Sequence, residues 1–362
     1  MGCGQRSFVR TVENCGLCSI KLLLALENSL TRPIGILYRY ILLSFKPVCY
    51  FSVADPTYGV PHNVVTLEFQ PAIHLESKPI NEANGSTIRP MNPWRLIITR
   101  AGSGAWNMAV DEAILEHVQA GQGKSLPTLR LYAWDPACLS LGQAQPFADV
   151  DYAQLNTRGW DVVRRATGGR AILHTDELTY SVTGSVEEPV LAGGVLESYN
   201  RLAQALLLAV KNLGLPVEMR KGKANESAAP NPVCFEVPST YEITVGGKKL
   251  IGSAQARKKE GVLQHGSLPL TGDLTRICQA LVFENEAARE NAARRLFGRA
   301  TTVESALGRA VSWDEAAEAF IRAFETQLGV CLERGELSES EAKRAEELVR
   351  EKYDHPSWTE RV

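Results

Sequence analysis

A short alternating segment followed by two glycines places the strongest constraint on the fold of this chain. Between residues 241 and 245, apolar Tyr, Ile and Val alternate with Glu and Thr, which is the period of a half-buried strand. Gly246-Gly247 then provides the residues that a two-residue hairpin turn favours. We therefore predict that the chain returns from Lys248 onward as an antiparallel strand.

The rest of the chain beyond residue 93 mixes strand and helix patterns without internal repeats. Ser103 can cap a helix whose apolar residues recur from Val110 at spacings of three, four and eight. Ser312 and Ser338 each precede a glutamate by three residues, which is a capping box. This mixture predicts an α+β domain with a helical C-terminal tail. Further strands are predicted at 94–99, 129–134, 138–142, on both sides of a glycine loop within 161–184, and at 262–270, and a long helix at 195–213.

Residues 1–90 differ in character from the remainder. They carry 8 Lys/Arg against 6 Asp/Glu, hold four of the eight cysteines, and show no stable hydrophobic period. Residues 76–93 contain three prolines and an Asn-Gly pair, a composition typical of a linker. We predict that residues 1–90 form a poorly ordered N-terminal extension of unknown role, and that residues 91–362 form the folded domain.

Charge and hydropathy exclude several classes of protein. A net charge of -2 gives no basis for a histone-like nucleic-acid binder, whose affinity comes from neutralising phosphates. No run reaches the roughly 18 uncharged apolar residues of a membrane helix, and no signal-peptide pattern is found. Cys15 and Cys18 have the spacing of a zinc ligand pair but lack a second such pair, so no metal site is predicted. We expect a cytoplasmic protein that binds neither nucleic acid nor membrane.

The first candidate functional segment is the glycine loop Arg164-Arg-Ala-Thr-Gly-Gly-Arg170. Paired glycines let a backbone come close to a ligand, and their N–H groups can hold an anion. The three arginines would add positive charge. An ordinary glycine turn with solvated arginines is an equally good interpretation, because neither the Walker A nor the Rossmann pattern is present.

The second candidate is Cys234, which lies in a loop bounded by Pro232 and Pro238. This setting differs from the buried apolar one that is usual for cysteine. A nucleophilic cysteine must be a thiolate, so it needs a cationic neighbour that lowers its pKa from about 8.5. The apolar neighbourhoods of the other cysteines in this part of the chain favour ordinary core positions for them: Cys138, Cys278 and Cys331.

The third candidate segment is the returning arm of the predicted hairpin. Lys249 lies 15 residues after Cys234 (249 − 234) and could hold a thiolate, although a charged pair at a hairpin end is the alternative interpretation. Alternation allows only one of Lys248 and Lys249 to face inward. Small residues on the same arm permit close approach to a ligand. A His-Gly pair on the next strand could complete the wall, although a single histidine on a strand is more often structural. These residues are Gly252, Ser253 and Ala254, then His265 and Gly266.

Taken together, the three segments resemble the biotin/lipoate protein ligase catalytic family. They are RRATGGRAILH, CFEVPSTYEI and GKKLIGSAQ, in this order and spacing. The resemblance is closest to the cysteine-dependent octanoyltransferase branch of this family. The CFEVPSTYE segment is specific to that branch. The glycine loop and the lysine are shared with ATP-dependent lipoate ligases. It covers about residues 94–350, from WRLIITRAGSGAWNMAVDEAIL to the SWDEAAEAFIRAFE helix, and none of 1–90.

The resemblance implies a mixed, largely antiparallel β-sheet flanked by helices, which makes residues 91–362 an acyltransferase catalytic domain. By the same resemblance, Cys234 would attack the thioester of octanoyl-acyl carrier protein and hold the octanoyl group. Lys249 would lower the pKa of that cysteine and help deprotonate the incoming lysine. The acceptor lysine would belong to glycine-cleavage H protein or to the lipoyl domain of a 2-oxoacid dehydrogenase E2. No cofactor is implied, because a thioester is already activated.

The resemblance also assigns substrate-binding residues to this chain. One wall of the acyl and pantetheine pocket would consist of Arg165, Thr167, Gly168, Gly169, Arg170 and His174. The opposite wall would consist of Gly252, Ser253 and Ala254, together with His265 and Gly266. Basic residues would suit acidic carrier-protein partners, chiefly through the association rate. They stand at 164, 165, 170, 220, 221, 223 and 257–259.

Three other functions remain open on the sequence. An ATP-dependent lipoate-protein ligase would use the same loop and lysine and would not need Cys234. An amidotransferase that moves octanoyl from H protein to E2 domains is a close variant of the octanoyltransferase. A non-catalytic acyl-binding regulator belongs to a different class, and the presence of both Cys234 and Lys249 argues against it.

Overall fold

The structure is a computed structural model that describes residues 92–99, 101–120, 125–221 and 241–362. For residues 220, 221 and 241 it describes the backbone alone. The predicted extension, residues 1–90, and the predicted nucleophile, Cys234, lie outside the described residues.

The described residues form eleven strands. Eight of them make one central sheet, and three make a smaller sheet. The strands are β1 (Asn92–Ile98), β2 (Thr128–Tyr132), β3 (Cys138–Leu141), β4 (Asp161–Arg164), β5 (Ile172–His174), β6 (Glu177–Ser185), β7 (Val217–Lys221), β8 (Tyr241–Val245), β9 (Lys248–Arg257), β10 (Gly261–Pro269) and β11 (Val330–Arg334).

The central sheet is mixed and largely antiparallel. Its order is β11-β1-β2-β6-β10-β9-β8-β7, and only the two pairings that β1 makes are parallel. The smaller sheet has the order β4-β3-β5. Together with the flanking helices, this architecture confirms the predicted α+β class, and the last helices of the chain form the predicted helical tail.

The predicted hairpin is confirmed. β8 and β9 pair antiparallel across Gly246 and Gly247, whose φ angles are 55° and 79°. Positive φ at both central positions is what a hairpin turn of this length requires, and glycine adopts it without a Cβ clash.

Eight α-helices flank the sheets in the described part of the chain. Ser103, Ser312 and Ser338 cap the helices that the sequence predicts after them, each accepting a hydrogen bond from the backbone N–H three residues later. No helix among the described residues is long and apolar enough to cross a membrane. The helices are α1 (Gly104–Gln119), α2 (Tyr152–Arg158), α3 (Val195–Asn212), α4 (Glu286–Arg299), α5 (Val303–Leu307), α6 (Trp313–Leu328), α7 (Glu339–Leu348) and α8 (Pro356–Thr359).

The two faces of the central sheet differ in polarity. On one face, Leu178, Tyr180 and Val182 of β6 pack with apolar residues of α3 and α6 in the main hydrophobic core. The intervening residues of β6, Thr179 and Ser181, are equally buried but lie on the opposite face, because successive strand residues alternate. That second face packs against α1 and the smaller sheet, and it carries the polar residues described below.

Candidate active site

A cavity of about 380 Å³, counted out to its solvent opening, lies between the polar face of the central sheet and the smaller sheet. The described residues that line it are Met108, Tyr132, Trp134, Ser140, Arg165, Ile172, His174, Thr179, Gly252, Ser253, Ala254, His265, Gly266 and Ser267.

One row of residues crosses four strands along the cavity floor. Gly252 on β9 opposes Ser267 on β10, which opposes Thr179 on β6, which in turn opposes Tyr132 on β2. Residues directly opposite each other on neighbouring strands share a face of the sheet, so all four project to the same side. All four line the cavity, which therefore runs across the strands rather than along them.

Small residues on β9 and β10 let the two strands and the cavity wall come close together. A Cβ placed on Gly266 would lie 2.6 Å from the carbonyl oxygen of Gly252 and 2.5 Å from the Ser253 hydroxyl, so no larger residue fits there. The Ser253 hydroxyl lies 2.8 Å from the Tyr180 hydroxyl. The glycine at 266 is thus required by packing between strands.

A register shift in β9 decides which lysine shares the cavity face. Ile243 of β8 opposes Ile251, whereas the next residue, Thr244, opposes Lys249, so Leu250 is an extra residue in β9. This bulge puts Lys249 on the same face as Gly252, although strict alternation over three residues would place them on opposite faces. Lys249 therefore lies on the cavity side of the sheet, three residues before the first cavity-lining residue of β9.

The surroundings of the two adjacent lysines confirm that only one faces inward. Lys249 is 5% exposed, and its Nζ lies 3.4 Å from Glu242 Oε1. Lys248 is more exposed. Its Nζ donates a hydrogen bond to the backbone carbonyl of Phe297 at 2.8 Å and lies 4.6 Å from the centre of the Phe297 ring. A buried ammonium must be compensated by nearby polar or charged groups, and Glu242 is one such group.

A buried carboxylate on α1 organises the polar face behind the cavity. Asp111 accepts hydrogen bonds from Arg130 at 2.8 Å, from Ser181 at 2.8 Å and from the Tyr132 hydroxyl at 3.0 Å. Burial by itself would raise the pKa of Asp111, but the Arg130 guanidinium and the hydrogen bonds from His265 and Ser181 outweigh it, and the pKa is lowered. Asp111 is thus held as a carboxylate.

His265 connects Asp111 to the glycine loop. Its Nδ1 lies 3.5 Å from Asp111 Oδ2, and its Nε2 lies 2.7 Å from the hydroxyl of Thr167. Burial lowers the pKa of His265 below 6.5, more than the neighbouring Asp111 raises it. Thr167 does not line the cavity itself, but this contact fixes the loop against β10.

A second buried histidine forms part of the cavity wall. His174 Nδ1 lies 2.6 Å from Glu177 Oε1, and its Nε2 lies 2.8 Å from the hydroxyl of Ser140. The ring stacks on Trp134 with centres 3.9 Å apart and planes 7° apart. Burial would raise the pKa of Glu177, but the charge and hydrogen bond of His174, with the hydrogen bond from Thr179, lower it on balance. The imidazole is held on three sides and has a fixed orientation.

The arginines of the glycine loop correct the sequence interpretation. Arg164 is fully buried and donates hydrogen bonds to backbone carbonyls that include those of Gly142 and Thr359. Arg165 is 4% exposed and donates to the carbonyls of Ser140, Gly168 and Arg170. Neither guanidinium is available to an acidic partner. Both instead satisfy carbonyls that would otherwise be buried without a partner.

Tight packing beneath the loop requires a glycine at 142. The carbonyl oxygen of Gly169 would lie 1.9 Å from a Cβ placed on Gly142, so the loop rests directly on the end of β3. Gly169 has a φ of 98°, which favours glycine. A Cβ on Gly168 would meet no atom within 4 Å, so that position is open.

The cavity contains seven of the eleven residues that the sequence assigns to substrate binding. Thr167, Gly168, Gly169 and Arg170 lie in the adjoining loop and do not line it. Lys249 lies on the same face of β9 but is not a lining residue. Cys234 is outside the described residues. The seven are Arg165, His174, Gly252, Ser253, Ala254, His265 and Gly266.

The sequence does not predict several residues of the site. Asp111 stands inside the apolar stripe of α1, and a carboxylate at a position that should be buried is a signal that could have been used. Trp134 and Ser140 carry no such signal, because their positions depend on how β2 and β3 pack. The residues missed in this way are Met108, Asp111, Tyr132, Trp134, Ser140, Ile172, Glu177, Thr179 and Ser267.

The cysteines of the described residues fit structural positions. Cys138 is fully buried and Cys278 is 2% exposed, which confirms the predicted core positions, whereas Cys331 is only partly buried. Burial, with smaller effects from Asp161 and Glu177, raises the pKa of Cys138 well above its usual value, so this thiol is a poor nucleophile. The described residues contain no cluster of His, Cys, Asp and Glu that could hold a metal ion.

The buried titratable groups predict a loss of stability in mild acid. Because the folded pKa of His265 lies below its unfolded value, the unfolded state takes up a proton first as pH falls through about 6.5, which favours unfolding. The lowered pKa values of Asp111 and Glu177 act in the same direction below about pH 4.5. We expect the free energy of unfolding from urea titrations to fall by up to about 1 kcal/mol between pH 7 and 5.5. The His265→Gln variant should show a smaller fall over this interval, and an equal fall would contradict the assignment to His265.

Comparison with known proteins places this geometry in a family. Residues 103–325 match the model of the lipoyl protein ligase A/B catalytic domain. The chain is 42% identical over 274 residues to octanoyltransferase LipM of Moorella thermoacetica, covering 75% of this chain and 99% of the relative. It is 40% identical over 269 residues to octanoyltransferase LipM of Carboxydothermus hydrogenoformans, covering 74% and 98%.

Solved structures give the same result. A bipartite lipoate protein ligase from Thermoplasma acidophilum matches with a TM-score of 0.62 and 25% identity, covering 74% of this chain and 96% of that one. A lipoate-protein ligase A bound with ATP matches with a TM-score of 0.60 and 26% identity, covering 74% and 98%. The chain belongs to the lipoyl protein ligase A/B catalytic-domain family.

Proposed function

We propose that this chain, an octanoyltransferase of lipoate biosynthesis, moves the octanoyl group of octanoyl-acyl carrier protein to a lipoyl-carrier lysine through a thioester on Cys234. The octanoyltransferase activity follows from relatives about 40% identical over nearly their whole length. The donor, the acceptor and the covalent intermediate are our proposal.

The reaction would proceed in two transfers. The Cys234 thiolate attacks the carbonyl carbon of the octanoyl thioester, a new carbon–sulfur bond forms, and the carrier's phosphopantetheine leaves as a thiol after taking a proton. The neutral amine of the acceptor lysine then attacks the Cys234 thioester. An amide bond forms, the carbon–sulfur bond breaks, and the proton lost by the amine returns to the cysteine sulfur. Two easier steps thereby replace one direct aminolysis.

The observation that carries this proposal is a buried lysine on the face of the sheet that also lines the cavity. The floor row from Gly252 to Tyr132 and the wall residues Trp134 and Ile172 line a largely buried cavity. Lys249 lies on the same face of β9, just before this row begins. An ammonium at that position would lower the pKa of a cysteine thiol placed next to it.

The proposed acceptors are the lipoyl-carrier lysines of glycine-cleavage H protein and of 2-oxoacid dehydrogenase E2 domains. The Thermoplasma acidophilum ligase was studied together with its E2 lipoyl domain. A shared catalytic domain supports a shared class of acceptor for this chain.

The decisive experiment is acylation without ATP. We expect that octanoyl-acyl carrier protein alone will add one octanoyl group to the protein, and that peptide mass spectrometry will locate it on Cys234. Adding a lipoyl-domain acceptor should then remove the group from the cysteine and transfer it to the acceptor lysine. Hydroxylamine, which cleaves thioesters, should release the group from the cysteine but not from the acceptor amide.

An ATP-dependent lipoate-protein ligase is the second candidate, because the similar solved structures include a lipoate-protein ligase A bound with ATP. A ligase would leave Cys234 unmodified and would load free octanoate or lipoate onto the acceptor only when ATP is present. The same incubations, with ATP and free acid added in a parallel arm, distinguish the two functions.

A further inference from the structure

We propose that Met108 closes the inner end of the cavity and sets the length of the acyl chain that the enzyme accepts. This inference rests on the proposed function, because it assumes that the cavity holds the acyl group. Met108 lies on α1, is 3% exposed, and packs in the same apolar cluster as Tyr132 and Trp134.

The exposure of the lining residues shows which end of the cavity is open. Ala254 on β9 and Ile172 on β5 are partly exposed. Tyr132 and Met108 are almost completely buried. An acyl chain would therefore enter beside β9, where Lys249 shares the face of the sheet, and would extend towards β2 and α1.

The length of this path suits a medium acyl chain. The floor row takes three steps from strand to strand, and each step is about 4.8 Å, so its ends lie about 14 Å apart. An extended eight-carbon chain spans about 9 Å, since each of its carbon–carbon bonds of about 1.5 Å advances it by less than its own length. The side chains at the inner end occupy the remainder, so their size limits how many carbons fit.

Two of the three large residues at the inner end are fixed by polar contacts. The Tyr132 hydroxyl donates to Asp111 at 3.0 Å, and Arg130 lies 3.9 Å from the centre of its ring. Trp134 donates from Nε1 to the Thr179 hydroxyl at 2.8 Å and stacks on His174. Shortening either would leave buried polar groups without partners.

Met108 differs from both neighbours in its chemistry. Its side chain is unbranched and adapts its shape to the space around it. It has no hydrogen-bonding group as strong as the Tyr132 hydroxyl or the Trp134 N–H. Truncating it removes three heavy atoms from the closed end without disrupting any of the hydrogen bonds named above. The identity of residue 108 can therefore change the cavity length while leaving the polar framework intact.

The test is a competition between acyl chains of different length. Acyl carrier protein loaded with hexanoyl, octanoyl, decanoyl or dodecanoyl groups is offered to wild type, to Met108→Ala and to Met108→Phe, and kcat/KM is measured for each. We expect the decanoyl-to-octanoyl ratio to rise about tenfold or more in Met108→Ala, because each methylene in an apolar pocket changes discrimination by roughly 10- to 200-fold. Met108→Phe should shift preference in the opposite direction, towards hexanoyl.

Leu115→Ala is the matched control. Leu115 is on the same helix, is 1% exposed and does not line the cavity. Its truncation should lower stability without changing the ratio of chain lengths. An unchanged ratio in a folded Met108→Ala protein, or an equal change in Leu115→Ala, would overturn the assignment of Met108. Failure of the wild type to transfer octanoyl from the carrier protein would instead overturn the proposed function.

Discussion

Replacing Cys234 with serine is expected to reduce octanoyl transfer by at least about 10³-fold. A serine hydroxyl is scarcely ionised at neutral pH, and the ester it would form is a poorer acyl donor than a thioester. Cys234→Ala should lose the transfer as well, and it should take up no octanoyl group on residue 234. The measurement is initial rate of acceptor octanoylation with octanoyl-acyl carrier protein as donor, together with intact-protein mass spectrometry.

Cys331→Ser is the matched control for this prediction. Cys331 is a partly buried thiol on β11, at the opposite edge of the central sheet from β7 and outside the cavity lining. It should retain close to wild-type activity. A Cys234→Ser protein that keeps more than about a tenth of the activity would show that this cysteine is not the acyl carrier.

Lys249→Ala is expected to slow acylation by about 10- to 10³-fold at pH 7. A cation beside a thiol typically lowers the pKa of that thiol by one to three units, so its removal leaves less thiolate at neutral pH. The deficit should shrink as pH rises towards 9, where the thiol ionises without assistance. We expect the pH profile of the acylation step, measured as single-turnover uptake of octanoyl, to move to higher pH in the variant.

The adjacent lysine provides an unusually close control. Lys248→Ala removes the same charge one residue earlier, but Lys248 contacts Phe297 rather than the cavity face. It should leave both the rate and the pH profile nearly unchanged. Because Lys249→Ala also leaves Glu242 without this ion-pair partner, thermal unfolding should accompany the kinetics. A slow Lys249→Ala variant whose pH profile does not move would contradict the proposed effect on the cysteine pKa.

Much of the fold was predictable because its signals are local. The alternation of residues 241–245 and the two glycines that follow specify a hairpin through backbone sterics alone. Ser103, Ser312 and Ser338 specify helix starts through hydrogen bonds that span three residues. Such features do not depend on what packs against them, and each was confirmed.

The candidate site was predictable only in part. The resemblance identified Gly252, His265 and other wall residues, and the structure gathers seven of them around one cavity. The sequence predicts Arg165 as a wall residue, and both Arg164 and Arg165 as basic residues that would suit an acidic partner, since nothing in the sequence shows which carbonyls a guanidinium will meet. Those carbonyls come from segments up to 195 residues away in the chain.

The sequence by itself determined that this chain carries an α+β catalytic domain with a thiol, a lysine and a glycine loop in a recognisable order. Only the tertiary structure decided that Lys249, and not Lys248, lies on the cavity side, because one bulge in β9 reverses the alternation. It alone aligned Gly252 with Tyr132 across four strands and brought Met108 of α1 to the lining of the same cavity. The physical reason is that strand register and side-chain burial depend on contacts between distant segments, which local sequence patterns do not encode.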